Sequence, residues 1–282
     1  MPSVPGVSHR FVGARGLRFH MAEAGEGPPL VLLHGWPQHW FEWREVIGPL
    51  AERYRVLCPD LRGFGWSDAP PHGYEKEALA DDVVALLDAL GVERFRLIGH
   101  DWGGWIGFLI ALRAPERVER LMPLNVAHPF GGPNRGRTRT MWRFWYQAVI
   151  AAPLVGPRVV AGSRFLARWL GAGPAVWSEE EAGTFLGQFR DPARARASTL
   201  LYRSFLTREL RGLAAGRYRR LRLTTPTLLL YGTEDNVIRP AHIEGFEPYA
   251  DAMAVEMVPG CGHFIVDERP QLVVERALSF LA

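Results

Sequence analysis

The stretch Phe95-Arg96-Leu97-Ile98-Gly99-His100-Asp101-Trp102-Gly103-Gly104 decides the fold. A short apolar run ends in a glycine-flanked turn, and an apolar helical pattern follows as far as Arg113. Asp101 lies in this turn at the nucleophile position of the small-x-nucleophile-x-small motif, which joins a strand to a helix. Glycine is needed on both sides because side chains would collide in so tight a turn. The alternative interpretation is a glycine-rich turn in which Asp101 only caps the helix.

Short apolar runs alternate with helical patterns over the first part of the chain, which is typical of a mostly parallel sheet flanked by helices. Strands are predicted at 9–12, 17–22, 30–33, 55–58, 95–98, 120–124, 227–231 and 254–258. Helices are predicted near 40–53, 74–90, 102–113 and 269–281. From 129 to 222 the strand pattern disappears, and arginine and tryptophan recur at helical spacing. We therefore predict an α/β core formed by 1–128 and 223–282, interrupted by an all-helical cap at 129–222.

The composition is that of an ordinary soluble globular protein, with 48% hydrophobic and 22% charged residues in 282. No uncharged apolar run approaches the ~20 residues that span a bilayer. The first residues lack the apolar segment of a signal peptide. Two cysteines are too few for a disulfide framework. We expect a cytoplasmic protein, either monomeric or a homodimer.

The charge is unevenly distributed along the chain. The net charge is +3, but the segment 129–222 holds 17 arginines against 5 acidic residues, and the remainder is negative. The arginines alternate with Trp, Phe and Leu at helical spacing. That pattern favours the polar outer face of amphipathic helices over a phosphate-binding track or a membrane surface. We expect no nucleic acid and no membrane partner.

Other candidate segments also follow predicted strands, where an open parallel sheet gathers its ligands. They are His34-Gly35-Trp36-Pro37, Gly232-Thr233-Glu234-Asp235 and Gly260-Cys261-Gly262-His263. The nine histidines do not have the spacing of a metal site, and no glycine cluster matches a dinucleotide fingerprint. We expect neither a metal nor a cofactor.

Together with the segment from Asp60 to Asp68 (Asp-Leu-Arg-Gly-Phe-Gly-Trp-Ser-Asp), these motifs resemble the α/β-hydrolase superfamily. Within it they are similar to the epoxide hydrolase and haloalkane dehalogenase branch, over essentially the whole chain. The resemblance implies an α/β-hydrolase fold, with an eight-stranded, mostly parallel sheet and a helical cap. It also implies the catalytic roles: Asp101 as nucleophile, Asp235 as orienting acid, His263 as base, and the backbone N–H groups of Trp36 and Trp102 as oxyanion hole.

A carboxylate nucleophile favours displacement at saturated carbon. Asp101 would form an alkyl ester, which water can open at the acyl carbon, whereas serine would form an ether that water does not readily cleave. His263 would deprotonate that water, while Asp235 fixes the imidazole tautomer.

The leaving-group donors distinguish the two branches. Epoxide hydrolases usually supply two cap tyrosines, and Tyr202 falls at the second of these positions; packing on the core is its alternative role. By spacing, the first position holds Trp142, with Tyr146 one turn further along as a possible substitute. We expect an epoxide hydrolase that acts on a small apolar epoxide with water. The alternatives are a dehalogenase that holds halide with Trp102 and Trp142 or Trp145, and a receptor-like protein with little turnover.

Overall fold

The computed structural model describes residues 1–131, 139, 141–162, 164–173 and 175–282, without the side chains of 141 and 164–166. Its eight strands are β1 (Ser8–Ala14), β2 (Leu17–Ala24), β3 (Pro29–Leu33), β4 (Arg55–Pro59), β5 (Phe95–His100), β6 (Val118–Leu124), β7 (Thr227–Gly232) and β8 (Met253–Val258). They form one sheet in the order β1-β2-β4-β3-β5-β6-β7-β8. Only the β1–β2 and β2–β4 pairs are antiparallel. The predicted α/β-hydrolase architecture is confirmed.

The core helices follow the predicted order. They are α1 (Arg44–Ala51), α2 (Lys76–Ala89) and α3 (Trp102–Arg113), and near the end of the chain α10 (Ile265–Glu268) and α11 (Pro270–Phe280). The single helix predicted at 40–53 is instead a 3₁₀ turn, Trp40–Trp43, followed by α1. The change occurs at Trp43, whose ψ of 4° departs from α-helical geometry.

The described residues between β6 and β7 contain helices and no strand. After the 3₁₀ turn Met141–Phe144 come α4 (Trp145–Ala151), α5 (Gly156–Gly162), α6 (Arg164–Trp169), α7 (Glu179–Gly187), α8 (Pro192–Ser204) and α9 (Leu210–Ala214). A π-helical turn, Phe205–Glu209, joins α8 to α9. We call this region the cap.

Two hydrophobic clusters cover the two faces of the sheet. One contains α2, α3 and the buried residues of the cap, and the other contains α1 and α11. Parallel strands covered on both faces require continuous apolar runs, as in the Leu-Val-Leu-Leu of β3. Asp101 therefore enters the gap between the sheet edge and the cap, immediately before α3.

Specific hydrogen bonds hold α8 and the 3₁₀ turn just before it, Gln188–Arg190, over this edge. Trp36 Nε1 donates to Ser198 Oγ at 3.0 Å. Gln188 accepts from the Gly65 N–H at 2.8 Å and donates to the Pro37 carbonyl at 2.9 Å. The Asp60–Asp68 segment and the His34–Pro37 loop thus position the cap helix that carries Tyr202.

Candidate active site

Asp101 occupies a strained turn between β5 and α3. Its φ is 47° and its ψ is −119°, in a region that residues other than glycine rarely enter. A Cβ on Gly99 would lie 2.6 Å from the Gly104 nitrogen, and one on Gly103 would lie 2.7 Å from the His34 carbonyl oxygen. The packed backbones therefore exclude any larger residue at Gly99 or Gly103. This close packing accounts for the glycines seen in the sequence.

Backbone donors surround the Asp101 carboxylate. The Trp36 N–H donates to Oδ2 at 3.1 Å, and the Trp102 N–H also hydrogen-bonds to the carboxylate. Loss of solvation raises the pKa of Asp101, while the charges of His263 and His100 and the two N–H groups oppose that rise. The structure therefore brings the two predicted oxyanion-hole donors to one carboxyl group.

His263 and Asp235 form a buried pair. His263 Nδ1 lies 2.9 Å from Asp235 Oδ2, and both side chains are almost completely buried. Asp235 Oδ1 accepts from the N–H groups of Val237 and Ile238 at 2.6 and 2.9 Å, which fixes the carboxylate. The contact at Nδ1 leaves Nε2 of His263 to act as a proton acceptor.

Asn125, which the sequence did not suggest, connects the loops that carry this pair. It follows β6 and has a φ of 44°. Its Nδ2 donates to the carbonyls of Gly262 and His263 at 2.6 and 2.8 Å, while its Oδ1 accepts from the Gly232 N–H at 2.7 Å. One amide thus fixes both the loop of the acid and the loop of the base.

A second buried pair lies beneath Asp101. His100 Nδ1 lies 2.8 Å from Glu42 Oε1, and His100 Nε2 donates to the His263 carbonyl at 2.8 Å. The other oxygen of Glu42 accepts from the Gly35 N–H at 3.1 Å. Burial alone lowers the pKa of His100, but the Glu42 carboxylate outweighs it and raises this pKa to about 9. The pair therefore places a cation next to the Asp101 carboxylate.

Two tyrosines of the cap meet beside the tryptophans that flank the Asp101 carboxylate. Tyr202 of α8 and Tyr146 of α4 are both buried, with ring centroids 6.0 Å apart, and their side chains hydrogen-bond to each other. Tyr202 also contacts the rings of Trp36 and Trp102 at 5.5 and 5.7 Å. Burial raises the pKa of each tyrosine, so both hydroxyl groups keep their protons at neutral pH.

The structure does not bring Trp142 to this cluster. Its side chain is 66% exposed, and Trp145 is 40% exposed. The spacing argument failed because the chain passes from a 3₁₀ turn to α4 at Trp145, and the two helices have different numbers of residues per turn. Tyr146 is consequently the inward-facing residue.

Lys76, the only lysine of the chain, anchors the cap beside the site. Its Nζ is fully buried and donates to the Leu201 carbonyl at 2.5 Å and to Glu209 Oε1 at 3.2 Å. It also lies 4.6 Å from the centroid of the Trp102 ring. Burial lowers the pKa of Lys76 to about 8, although Glu209 opposes this. Leu201, which precedes Tyr202, and Trp102, which follows Asp101, thus both contact the Lys76 ammonium group.

Nothing in the described part of the chain forms a metal centre, since no three His, Cys, Asp or Glu side chains cluster there in the required way. Clefts of about 330 and 270 Å³ lie elsewhere, against Asp81 and Arg113 and against Trp177 and Arg168 respectively. Of the described helices, none has both the length and the apolar character needed to cross a bilayer. The groups around Asp101 are therefore the candidate site.

Comparisons with known proteins agree with this fold. The model of the alpha/beta hydrolase fold family matches residues 28–270. A soluble epoxide hydrolase from Corynebacterium sp. is 34% identical, over 98% of both chains. The solved structure of the epoxide hydrolase CorEH without ligand superposes with a TM-score of 0.84 at 33% identity, covering 98% of both chains.

A differently named structure is just as similar in fold. A putative acyltransferase from Salmonella enterica has a TM-score of 0.87 at 30% identity, covering 100% of this chain and 97% of its own. Overall shape therefore does not select the reaction, which depends on the residues of the site. The chain belongs to the α/β-hydrolase family, in the branch that includes the soluble epoxide hydrolases.

Proposed function

We propose that this protein is an epoxide hydrolase that converts a small apolar epoxide into a vicinal diol without a metal or cofactor. The observation that carries the proposal is the packing of two buried tyrosines against each other, with Tyr202 on the rings of Trp36 and Trp102. The backbone N–H groups of these two tryptophans bind the Asp101 carboxylate. An opening epoxide develops negative charge on oxygen and needs O–H donors, which Tyr202 and Tyr146 supply. Two cap helices, α4 and α8, carry the two donors, and both tyrosine side chains are buried.

In the first step, Asp101 attacks one epoxide carbon through the carboxylate oxygen that is not bound by Trp36. The carbon–oxygen bond of the ring breaks, its electron pair goes to the epoxide oxygen, and a tyrosine gives that oxygen a proton. The result is an ester between Asp101 and the substrate. Because the carboxylate is charged before the reaction, this step needs no base.

In the second step, His263 removes a proton from water, and the water oxygen attacks Cγ of Asp101. The charge that develops on Oδ2 is stabilised by the N–H groups of Trp36 and Trp102. Collapse of this intermediate breaks the bond from Cγ to the alkyl oxygen and releases the diol. Of the two protons of the water, one restores the tyrosine hydroxyl and the other protonates the departing alkyl oxygen. Asp235 stabilises the imidazolium that His263 forms transiently.

The test is a single turnover in ¹⁸O-labelled water with enzyme in excess. We expect the label in the side chain of residue 101 and an unlabelled diol. Label in the diol with none in the protein would mean that water attacks the substrate directly, and would overturn the proposal.

Styrene oxide and a bromoalkane, offered in parallel, test the choice of leaving group. We expect diol from the epoxide and little bromide, because Trp142 and Trp145 are exposed and do not form a halide-binding pair with Trp102. Bromide release that exceeds diol formation would indicate a dehalogenase. A ligand retained without turnover would indicate a receptor.

We also propose a cytoplasmic location, with a monomer or homodimer as the assembly. The two cysteines, Cys58 and Cys261, are free and buried, as in proteins of a reducing compartment. Burial raises the pKa of Cys261 to about 12, so its thiol stays protonated.

A further inference from the structure

The outer side of the cap exposes large apolar side chains. Trp142, Trp145, Leu154 and Val155 expose 66, 40, 77 and 53% of their surface, and we call these four the outer cap face. Trp142 and Trp145 are three residues apart and thus lie on one side of the helical segment. Leu154 and Val155 follow the other end of α4, about 10 Å further along.

The same helix has a buried inner side. Tyr146, Gln147 and Ile150 of α4 are buried, whereas Trp145 is exposed and touches Trp169 edge-on at 5.6 Å. The spacing of arginine and tryptophan in the sequence suggested that the aromatic residues face inward, with arginine outside. Here tryptophan is outside as well. An apolar patch of this kind marks an interaction surface.

Arginines lie against the outer cap face. The guanidinium of Arg143 lies 5.4 Å from the centroid of the Trp142 ring, and Arg158 donates to the Leu154 carbonyl at 2.5 Å. Neither arginine pairs with a carboxylate of the described residues. In sequence, the segment 129–178 holds seven arginines and no acidic residue. Nothing within that segment neutralises the positive charge.

We propose that the outer cap face docks the protein on an anionic lipid bilayer, contrary to the expectation from the sequence that the protein has no membrane partner. Tryptophan and leucine side chains enter the interfacial region of a bilayer, while arginines beside them bind anionic headgroups. A second copy of the chain fits this surface less well, because a twofold interface would place the positive charges of two copies together. The attachment is peripheral. It does not depend on the reaction proposed above, since none of the four side chains lies in the tyrosine cluster.

The test is co-sedimentation of the intact protein with vesicles of phosphatidylcholine alone or mixed with phosphatidylglycerol. We expect binding to the anionic vesicles, with a partition coefficient that falls at least tenfold between 0.05 and 0.5 M NaCl as charges are screened. The double variant Leu154→Ser/Val155→Ser should lower the partition coefficient about tenfold. Arg143→Gln and Arg158→Gln should each lower it about fivefold.

Phe11→Ser/Met257→Ser is the matched control, because it also removes two exposed apolar side chains but lies on β1 and β8. We expect it to bind vesicles like the unaltered protein. Unchanged thermal unfolding midpoints would show that all variants fold.

Three results would overturn the proposal. They are no binding to anionic vesicles, equal binding to both vesicle types at all salt concentrations, and unaltered binding by Leu154→Ser/Val155→Ser. A dimer in sedimentation equilibrium that this double variant abolishes, without vesicle binding, would show that a second copy covers the face.

Discussion

Glu42 and His100 form a fully buried pair, 2.8 Å apart, at the turn that carries Asp101. Glu42 lies in the 3₁₀ turn before α1, and His100 is the last residue of β5. The other oxygen of Glu42 accepts a hydrogen bond from the Gly35 N–H, and the other ring nitrogen of His100 donates to the His263 carbonyl. Three loops of the candidate site therefore meet at one ion pair.

The first prediction concerns the pH dependence of stability. The pKa of His100, raised from 6.5 to about 9 in the folded protein, stabilises the fold fully below pH 6.5. This contribution declines as pH rises from 6.5, because there only the folded protein still holds the His100 proton, and it is lost once the pH passes about 9. Glu42→Gln should therefore cost about 3 kcal/mol at pH 6 and far less above pH 9. Urea unfolding of both proteins at pH 6 and 9.5 measures the difference.

Glu45→Gln is the control for this variant, since Glu45 is exposed on α1, the helix that follows the turn of Glu42. We expect it to change stability by less than about 0.5 kcal/mol at either pH. A cost for Glu42→Gln that stays constant from pH 6 to 9.5 would argue against a protonated His100.

The second prediction concerns the cap tyrosines. Tyr202→Phe and Tyr146→Phe should each slow formation of the alkyl-enzyme by about 10²- to 10³-fold, because each removes an O–H donor from the opening ring. Rapid-quench measurement of a single turnover gives this rate. Trp142→Phe is the control, and its rate should equal that of the unaltered protein. If Trp142→Phe were slow and Tyr146→Phe normal, Trp142 would be the donor.

The third prediction concerns the base. His263→Gln should allow ester formation but slow its hydrolysis by at least about 10³-fold, since no group remains to deprotonate water. Intact-protein mass spectrometry after exposure to substrate should show the mass of one added substrate, on the peptide that contains residue 101. Asp101→Ala/His263→Gln should show none. An unmodified Asp101 in His263→Gln would contradict the assigned role of the base.

The fourth prediction concerns Asn125. Asn125→Gly removes the three side-chain hydrogen bonds to the loops of Asp235 and His263 without opposing the backbone φ of 44°. We expect hydrolysis of the ester to slow about tenfold to a hundredfold while ester formation changes little. Asn125→Ala should match it kinetically and lose about 1 kcal/mol more stability, because alanine disfavours that φ. If ester formation and ester hydrolysis were each as fast in Asn125→Gly as in the unaltered protein, Asn125 would not position the loops for hydrolysis.

Much of the fold could be predicted from the sequence, because parallel strands that are buried on both faces leave continuous apolar runs. The positions of Asp101, Asp235 and His263 could be proposed because each follows such a run, and strand ends converge at one edge. Their proximity depends only on the order of the strands.

The cap was harder to predict. Its helices are short, and the change from a 3₁₀ turn to α4 shifts the inward-facing side from Trp142 to Tyr146. Asn125, Glu42 and Lys76 carry no local pattern either, since each acts through partners that are distant in sequence. Asn125, for example, bonds residues more than one hundred positions away.

The hydrogen bond from the Trp36 N–H makes the two oxygens of Asp101 unequal. In the proposed mechanism, one oxygen is retained by the loop, and the other is passed to the diol and replaced from solvent. If the carboxylate does not rotate, each product leaves with the oxygen that arrived in the preceding cycle. Each enzyme molecule moved into ¹⁸O-labelled water should therefore release one unlabelled diol first and only labelled diol in later cycles. A carboxylate that rotates freely would instead release a mixture of labelled and unlabelled diol in the early cycles.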